Sequence, residues 1–135
     1  MDIELLDIPG LSASDQTACK IKALSVNGKS PALAALSEWE AGERADYNKI
    51  FKNLRILGQL GRQVNNDKRV QKCGNSKYSE TYEVRADKGH ARLMFFWCVD
   101  DSVVILTNKF WKGGQQNLAF KQCSDFRDIY FNHKP

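Results

Sequence analysis

The sequence predicts an α+β fold in which an antiparallel β-meander supports a helical hairpin and a C-terminal helix. Three runs rich in aromatic and β-branched residues have the alternation and length of strands; they span residues 81–85, 91–99 and 103–111. Turn-forming segments at 87–90 and 100–101 separate them, and connections this short make consecutive strands antiparallel neighbours. A chain of 135 residues is long enough for one domain with a sizeable core.

The turns also predict which residues face each other across the meander. A four-residue loop at 87–90 places Arg85 opposite Arg92, and a two-residue loop at 100–101 places Arg92 opposite Lys109. Directly opposed residues share a sheet face, so these three cations are expected to form a row. Like charges side by side repel, and an anion lying across the row would remove that cost. In the alternative, a shifted register leaves each cation in water or paired with an acidic residue.

The N-terminal part divides into an acidic extension, residues 1–16, and the start of the main domain, residues 17–135. The extension has a charge of −4, which leaves +8 on the remainder because the whole chain sums to +4. A body this basic favours a polyanionic partner, although a basic surface that serves only solubility is the other interpretation. Residues 17–26 alternate loosely and are expected to form an edge strand.

Two helices are predicted after this strand, joined as a hairpin that packs on the sheet. Ser30 and Pro31 are typical of an N-cap and a first helical position, and Gly42 is expected to end the first helix. The second helix is expected over residues 44–60, with Asn53 on its polar face. Its apolar side chains recur at helical spacing: Tyr47, Ile50, Phe51, Leu54 and Leu57.

The longest irregular stretch, residues 61–79, is polar and basic. Long loops in compact domains are often functional, and its Lys68, Arg69 and Lys77 are candidates for binding an RNA backbone. A solvated connection between the hairpin and the meander is the alternative. A final helix is expected over residues 116–131.

Composition argues against several classes of protein. The four cysteines lack metal-ligand spacing and are expected to be buried free thiols, which suits a reducing cytoplasm. The acidic N-terminus lacks the basic start of a signal peptide, and the longest apolar run is too short to span a bilayer. No pattern indicates a metal site, a phosphate-cradling glycine loop or a Ser/His/Asp set, so no cofactor is expected.

Three local patterns follow one another in the second half of the chain. Residues 82–85 read Tyr-Glu-Val-Arg, residues 92–96 read Arg-Leu-Met-Phe-Phe, and residues 109–112 read Lys-Phe-Trp-Lys before a turn and a helix. In this order and spacing they resemble the RelE/HigB superfamily of bacterial toxins, especially its HigB-like, phage-derived branch. Members typically show a Tyr/Trp-Glu-Leu-Arg segment, an Arg-containing strand and a Phe-x-Lys-Lys motif. The resemblance covers about residues 17–131.

The resemblance implies a RelE-like fold and a metal-independent mRNA endonuclease of a type II toxin-antitoxin system. Such an enzyme acts on ribosome-associated transcripts and is held inactive by a cognate antitoxin, expected here to be a helix-turn-helix protein. Carried over by position, Arg85 and Arg92 match the sheet arginines that contact the scissile phosphate. Lys109 and Lys112 match the basic end of the last strand.

The match to the family is uneven at the remaining positions. Tyr130 and His133 are the candidates for the place where members carry a C-terminal acid or base. Gly113 stands where the second Lys of the Lys-Lys pair is expected, and Glu83 stands where some members carry a base-like Lys. The acidic segment 1–16 is not a usual family feature, and it is a candidate to cover the basic face.

Metal-free RNA cleavage uses the 2′-hydroxyl of the substrate as nucleophile. Arginine suits the phosphate because its planar fork bonds two oxygens at once. Trp111 is a candidate to stack on an unpaired base, with ordinary core packing as the alternative. His90 is a further candidate proton carrier. The missing second Lys and the lack of a clear proton carrier favour the alternative function, a non-catalytic nucleic-acid or protein binding module on the same scaffold.

Overall fold

A computed structural model describes residues 1–64, 68–100 and 102–133 of the chain. Residue 101 of the predicted turn and residues 65–67 of the predicted loop therefore lie outside the described residues. The described strands and helices are, in chain order, β1 Ile3–Asp7, β2 Lys20–Val26, α1 Pro31–Gly42, α2 Arg44–Leu60, β3 Val70–Lys72, β4 Tyr82–Arg85, β5 Ala91–Cys98, β6 Val103–Trp111 and α3 Gln116–His133.

The fold is α+β, as predicted, and consists of a mixed sheet between two helical layers. The strand order is β1-β2-β6-β5-β4-β3, and neighbours are antiparallel except for the parallel pair of β2 and β6. The α1–α2 hairpin covers one face, where Trp39 and Leu54 join a core cluster with Leu93 and Phe95 of β5. The helix α3 covers the opposite face, where Phe120 packs with Met94.

The meander and the helical hairpin follow the predicted boundaries closely. The Ser30 side chain accepts a hydrogen bond from the Leu33 amide and caps α1, with Pro31 at the first helical position. The last helix continues two residues beyond the prediction. Every residue of β5 is buried, because helices lie against both faces of this strand.

The N-terminal prediction is wrong in one respect, since β2 is not an edge strand. Residues of the acidic segment form β1, which pairs along β2 from Ile3 opposite Val26 to Asp7 opposite Lys22. An ion pair between the Asp7 and Lys22 side chains joins the two strands. Because β1 lies at the far edge from β4 and β3, the segment does not cover the face that carries Arg85.

The polar loop at residues 61–79 is more regular than predicted. It contains β3, a three-residue strand that pairs with β4 and forms the other edge of the sheet. The burial of Asn53 is a second difference, since its predicted place was the polar face of α2. Its side chain amide donates a hydrogen bond of 2.6 Å to the Arg85 carbonyl instead.

The four cysteines are buried and unpaired, as predicted. Burial raises the pKa of the Cys19 thiol to about 11 and that of the Cys123 thiol to about 12. Thiols with such raised pKa values stay protonated and unreactive at neutral pH, which fits a packing role.

The α2 helix packs on the N-terminal segment through Gly58. A Cβ atom at this position would lie 2.1 Å from the Asp15 carbonyl oxygen, and the Gly58 carbonyl accepts hydrogen bonds from the Ala18 and Cys19 amides. The close approach fixes how segment 13–19 enters β2.

We expect Gly58→Ala to lower the free energy of unfolding by roughly 1–3 kcal/mol, because the backbone must shift to admit the methyl group. Gly42→Ala is the matched control, since a Cβ there meets no atom of the described residues within 4 Å and the helical glycine is replaced by a better helix former. Urea titrations of both variants measure the difference. Equal stability of the two variants would contradict the close approach.

Candidate nucleic-acid interface

The loop that joins β4 to β5 is the centre of the candidate site. It closes with hydrogen bonds from the Ala86 amide to the Ala91 carbonyl, 3.0 Å, and from the Gly89 amide to the Ala86 carbonyl, 2.8 Å. Lys88 takes a left-handed conformation with a φ of 61°, which tightens the turn. The loop sets Arg85 directly opposite Arg92, as the loop length predicts.

The α2 helix holds this loop from one side of the sheet. One oxygen of the Asp46 carboxylate accepts hydrogen bonds from the His90 amide at 2.6 Å and the Ala91 amide at 2.8 Å. A Cβ at Gly89 would lie 2.9 Å from the Asp46 oxygens, so the loop backbone lies close against the carboxylate. Together with the bond from Asn53 to the Arg85 carbonyl, these contacts fix both ends of the loop.

Arg92 holds the same loop from the opposite side. Its Nη1 donates to the carbonyls of Ala86 at 3.4 Å, Gly89 at 3.2 Å and Ala91 at 2.9 Å, and the residue is 4% exposed. Burial lowers the pKa of this guanidinium, and the charge of Arg85 acts in the same direction. Arginine nevertheless keeps its charge in proteins, so Arg92 places a fixed positive charge beneath the loop.

A buried carboxylate lies between the two arginines. An oxygen of Glu83, whose side chain is fully buried, is 3.5 Å from Nε of Arg85 and 4.0 Å from Nε of Arg92. The Gln116 side chain, at the start of α3, donates to both carboxylate oxygens at 3.3–3.4 Å. Glu83 is thus an internal counter-ion for two cations that would otherwise repel across the sheet.

Burial raises the pKa of the Glu83 carboxyl, whereas the Gln116 hydrogen bonds and the charges of the two arginines act against the rise. Desolvation is the largest cause, so the charged form of Glu83 is less favourable in the folded chain than in water.

A basic cavity opens beside the loop on the side of Arg85. It has a volume of about 260 Å³, and its lining residues include five cationic ones and one acidic one. Its lining residues are Lys68, Arg85, Ala86, Asp87, Lys88, Gly89, Arg92 and Lys112. Lys112 reaches it because its amide donates to the His90 carbonyl at 2.8 Å, which continues the β5–β6 pairing one residue beyond Trp111. We call this hollow the basic cavity.

The predicted row of three cations is wrong for Lys109. Phe95 lies opposite Leu106, as the predicted register requires, but Leu93 lies opposite Lys109. One residue of β5 therefore faces two residues of β6 between these two pairs. The extra residue is a β-bulge at Thr107 and Asn108, and it moves every later side chain of β6 to the other face.

The buried polar groups of the bulge are satisfied by hydrogen bonds. Thr107 Oγ1 donates to the Met94 carbonyl, and the Asn108 side chain amide donates to the Ala119 carbonyl of α3 at 3.1 Å. On the α1 face, the Lys109 ammonium instead pairs with Glu38 at 2.6 Å. Lys112 therefore takes the place near Arg85 and Arg92 that was expected for Lys109.

Trp111 lies on the α1 face, with 39% of its surface exposed. The His90 ring stacks on it, with ring centroids 5.3 Å apart and planes 12° apart, and the Trp39 ring lies 6.5 Å away. Trp111 is thus half core and half surface, which leaves room for contact with a ligand.

The structure does not bring the other predicted residues to the basic cavity. Tyr130 is 9% exposed and packs against Phe96, near the far end of β5, and burial raises the pKa of its phenol. Phe96 lies four positions after Arg92 in β5, which is about 13 Å along the strand. His133 lies farther along α3, at its exposed end. Lys77 lies in a short 3₁₀ turn outside the lining of the cavity.

Of the loop candidates, Lys68 lines the basic cavity. Arg69 lies beside it on the backbone, since its carbonyl accepts from the Arg85 amide at 2.7 Å. Sequence reasoning missed Asp46 and Asn53, which hold the loop from α2. Neither gave a signal, because an acid in the first turn of a helix and a polar residue within it are ordinary.

In the part of the chain that the structure describes, no group of three or more His, Cys, Asp or Glu side chains is placed to hold a metal ion. Among the same residues, no helix combines the length and the apolar composition needed to cross a bilayer. Comparisons of the chain with protein-family models, with curated proteins and with solved structures find no significant match.

We expect Asp46→Ala to lower the free energy of unfolding by roughly 1–3 kcal/mol, because two loop amides lose their acceptor. Hydrogen exchange at His90 and Ala91 should become faster in this variant, as measured by NMR. Asp125→Ala is the control, since among the described residues Asp125 forms an exposed i,i+4 ion pair with Lys121 and binds no loop amide. Unchanged exchange at both loop amides would contradict the role of Asp46.

We expect the stability of the parent, relative to Glu83→Gln, to fall as pH rises. Because the Glu83 pKa is raised in the folded chain, the protonated carboxyl contributes to the free energy of unfolding. This contribution is fully present below the ordinary carboxyl range and is lost as pH rises through the folded pKa. Urea titrations of both proteins across the acid-to-neutral range measure the difference. A difference that stays constant, or that grows with pH, would show that desolvation does not dominate at Glu83.

Proposed function

We propose that this chain is a RelE-like, metal-independent endonuclease that cuts mRNA on the ribosome. The observation that carries the proposal is the basic cavity, in which Arg85, Arg92 and Lys112 come together beside a rigid loop. The α1–α2 hairpin, the β4–β5–β6 meander and α3 agree with the architecture that the resemblance implies. The added strands β1 and β3 depart from it.

The cavity has the charge that an RNA phosphate requires. Five cations facing one acid form a positive concavity, where a phosphodiester is attracted and held. Arg85 has 27% of its side chain exposed and is the arginine placed to meet the phosphate, while the more deeply buried Arg92 supplies charge from below. Lys112, Lys68 and Lys88 rim the cavity and neutralise the flanking backbone.

In the proposed reaction, the 2′-hydroxyl attacks the neighbouring phosphorus and the 5′-oxygen of the next nucleotide leaves. Alignment of nucleophile and phosphate supplies up to about 7–11 kcal/mol of the barrier. The guanidinium of Arg85 and the ammonium of Lys112 stabilise the charge that grows on the non-bridging oxygens. Tyr130 and His133 lie far from the cavity, and the His90 ring stacks on Trp111 on the α1 face, so no described side chain is assigned as proton carrier and the proposal leaves the two proton transfers to water.

The proposal implies a cytoplasmic protein with a cognate antitoxin, expected to be a helix-turn-helix protein. Trp111 lies on the α1 face, outside the lining of the basic cavity, so the proposed site gives it no role in stacking on an unpaired base.

One observation favours the second candidate, a non-catalytic module that binds nucleic acid. Nη1 of Arg92 is engaged by three loop carbonyls, and a buried carboxylate lies against both arginines. Such a site attracts a phosphate by its fixed positive charge, but fewer of its N–H groups are available to bind the charge that develops on the phosphate oxygens in a transition state.

We expect the parent to cut mRNA in a translating extract, and Arg85→Ala to lower the cutting rate by roughly 10²–10³-fold through the loss of one charge donor. Lys112→Ala should also lower the rate. Lys109→Ala is the matched control and should leave it unchanged, because Lys109 faces α1. Primer extension on the extracted mRNA measures the cuts.

The outcomes separate the two candidates. RNA binding without cutting, with binding weakened in Arg85→Ala, would reject the endonuclease and favour the binding module. Neither cutting nor binding by the parent would reject both. A loss of cutting in Lys109→Ala equal to that in Arg85→Ala would contradict the assignment of the site to the basic cavity.

A further inference from the structure

The strand β6 has a sheet neighbour along only half of one edge. Its ladder with β2 covers Val103–Leu106 opposite Lys20–Ala23, while β2 itself continues to Val26 paired with β1 alone. Within the described residues, the second half of β6 therefore has a ladder on the β5 side and none on the β2 side. The bulge at Thr107 and Asn108 marks the point where β2 and β6 part.

The alternation of antiparallel hydrogen bonds shows where the free backbone points. Lys112 and His90 form a hydrogen-bonded pair, so Phe110 and Arg92 form the next one, and Lys109 and Trp111 lie at the positions between. The backbone groups of Lys109 and Trp111 thus point away from β5. The Trp111 carbonyl binds the Gly114 amide, which leaves the Lys109 amide and carbonyl and the Trp111 amide directed to the open edge.

This edge lies in a groove between α1 and α3. Two cavities adjoin along it, of about 570 and 490 Å³, and both are lined by Lys109 and Gln122. We call the combined hollow the β6 groove. Its apolar lining side chains are Trp39, Phe110, Trp111 and Leu118 at one end, and Pro31, Phe126 and Ile129 at the other.

The charge of the β6 groove is opposite to that of the basic cavity. Its charged lining residues are Glu38, Glu43 and Asp125 against Lys109 alone, and the Lys109 ammonium already pairs with Glu38. A net negative groove on a chain of +4 repels an RNA backbone and attracts cationic side chains.

We propose that the β6 groove binds an extended segment of a partner protein, which adds as a strand to the open edge of β6. Backbone hydrogen bonds to Lys109 and Trp111 supply affinity, as in other cases of strand addition to a sheet edge. Apolar side chains at alternate positions enter the two cavities, and a Lys or Arg at either end pairs with Glu43 or Asp125. The five residues of the open edge, 107–111, span roughly 16 Å, which fits a segment of about five or six residues.

The test uses a library of short random peptides displayed on phage and selected on the parent chain. Leu118→Lys serves for counter-selection, because this leucine lines the groove and is 47% exposed, so its replacement spares the core. Leu60→Lys is the matched control, an equally exposed leucine at the end of α2 outside the groove. Selected peptides are then synthesised with and without N-methyl groups at alternate backbone amides.

We expect enriched peptides with apolar residues at every second position and at least one Lys or Arg. Their affinity, measured by fluorescence anisotropy, should fall by about tenfold or more with Leu118→Lys or with N-methylation of the paired amides, and should not change with Leu60→Lys. Amide NMR signals of Lys109 and Trp111 should shift on binding.

Four results would overturn the proposal. The first is a selection that yields no peptide able to distinguish the parent from Leu118→Lys, and the second is N-methylated peptides that bind as well as the originals. The third is displacement of the peptides by single-stranded RNA. The fourth is self-association of the parent that disappears in Leu118→Lys. The last result would assign the groove to a second copy of this chain.

Discussion

The arrangement of the basic cavity depends on the pair of opposed contacts that hold the β4–β5 loop. On one side the Asp46 carboxylate accepts two consecutive loop amides, and on the other Nη1 of Arg92 donates to three loop carbonyls. The peptide that joins Gly89 to His90 is held at both ends of its dipole, by Arg92 at the carbonyl and by Asp46 at the amide. Arg92 is almost fully buried, where hydrogen bonds to a charged group are strong. The loop, Arg85 and Lys112 are therefore held in place before any ligand arrives.

The same arrangement places two arginines side by side, and Glu83 reduces the repulsion between their like charges. Its buried carboxylate lies within 4.0 Å of Nε of each guanidinium and is itself held by Gln116 of α3. The position of α3 is thus coupled to the charge of the cavity. The cavity remains positive, because five cations line it and Glu83 lies beneath rather than within it.

The sequence predicted the elements with strong local signals. The Ser30-Pro31 cap and the helical spacing gave α1 and α2, and the loop length gave the pairing of Arg85 with Arg92. The error at Lys109 came from one extra residue in β6, since a bulge at Thr107 and Asn108 depends on buried contacts with β5 and α3 that local sequence does not show. The sequence did not predict that the acidic segment joins the sheet as β1, because an acidic, mostly exposed edge strand resembles a solvated extension.

The described surface separates two kinds of chemistry, a positive cavity on the Arg85 side and a negative, apolar groove on the Lys109 side. The most direct test of the central claim is an NMR titration of the arginine Nε–Hε signals with a short single-stranded RNA whose 2′-hydroxyls are methylated, so that it cannot be cut. The signals of Arg85 and Arg92 should shift in a salt-dependent manner, while those of Arg44 and Arg55 on α2 stay in place. Shifts confined to Arg44 and Arg55, or equal shifts at all four, would show that RNA does not bind in the basic cavity.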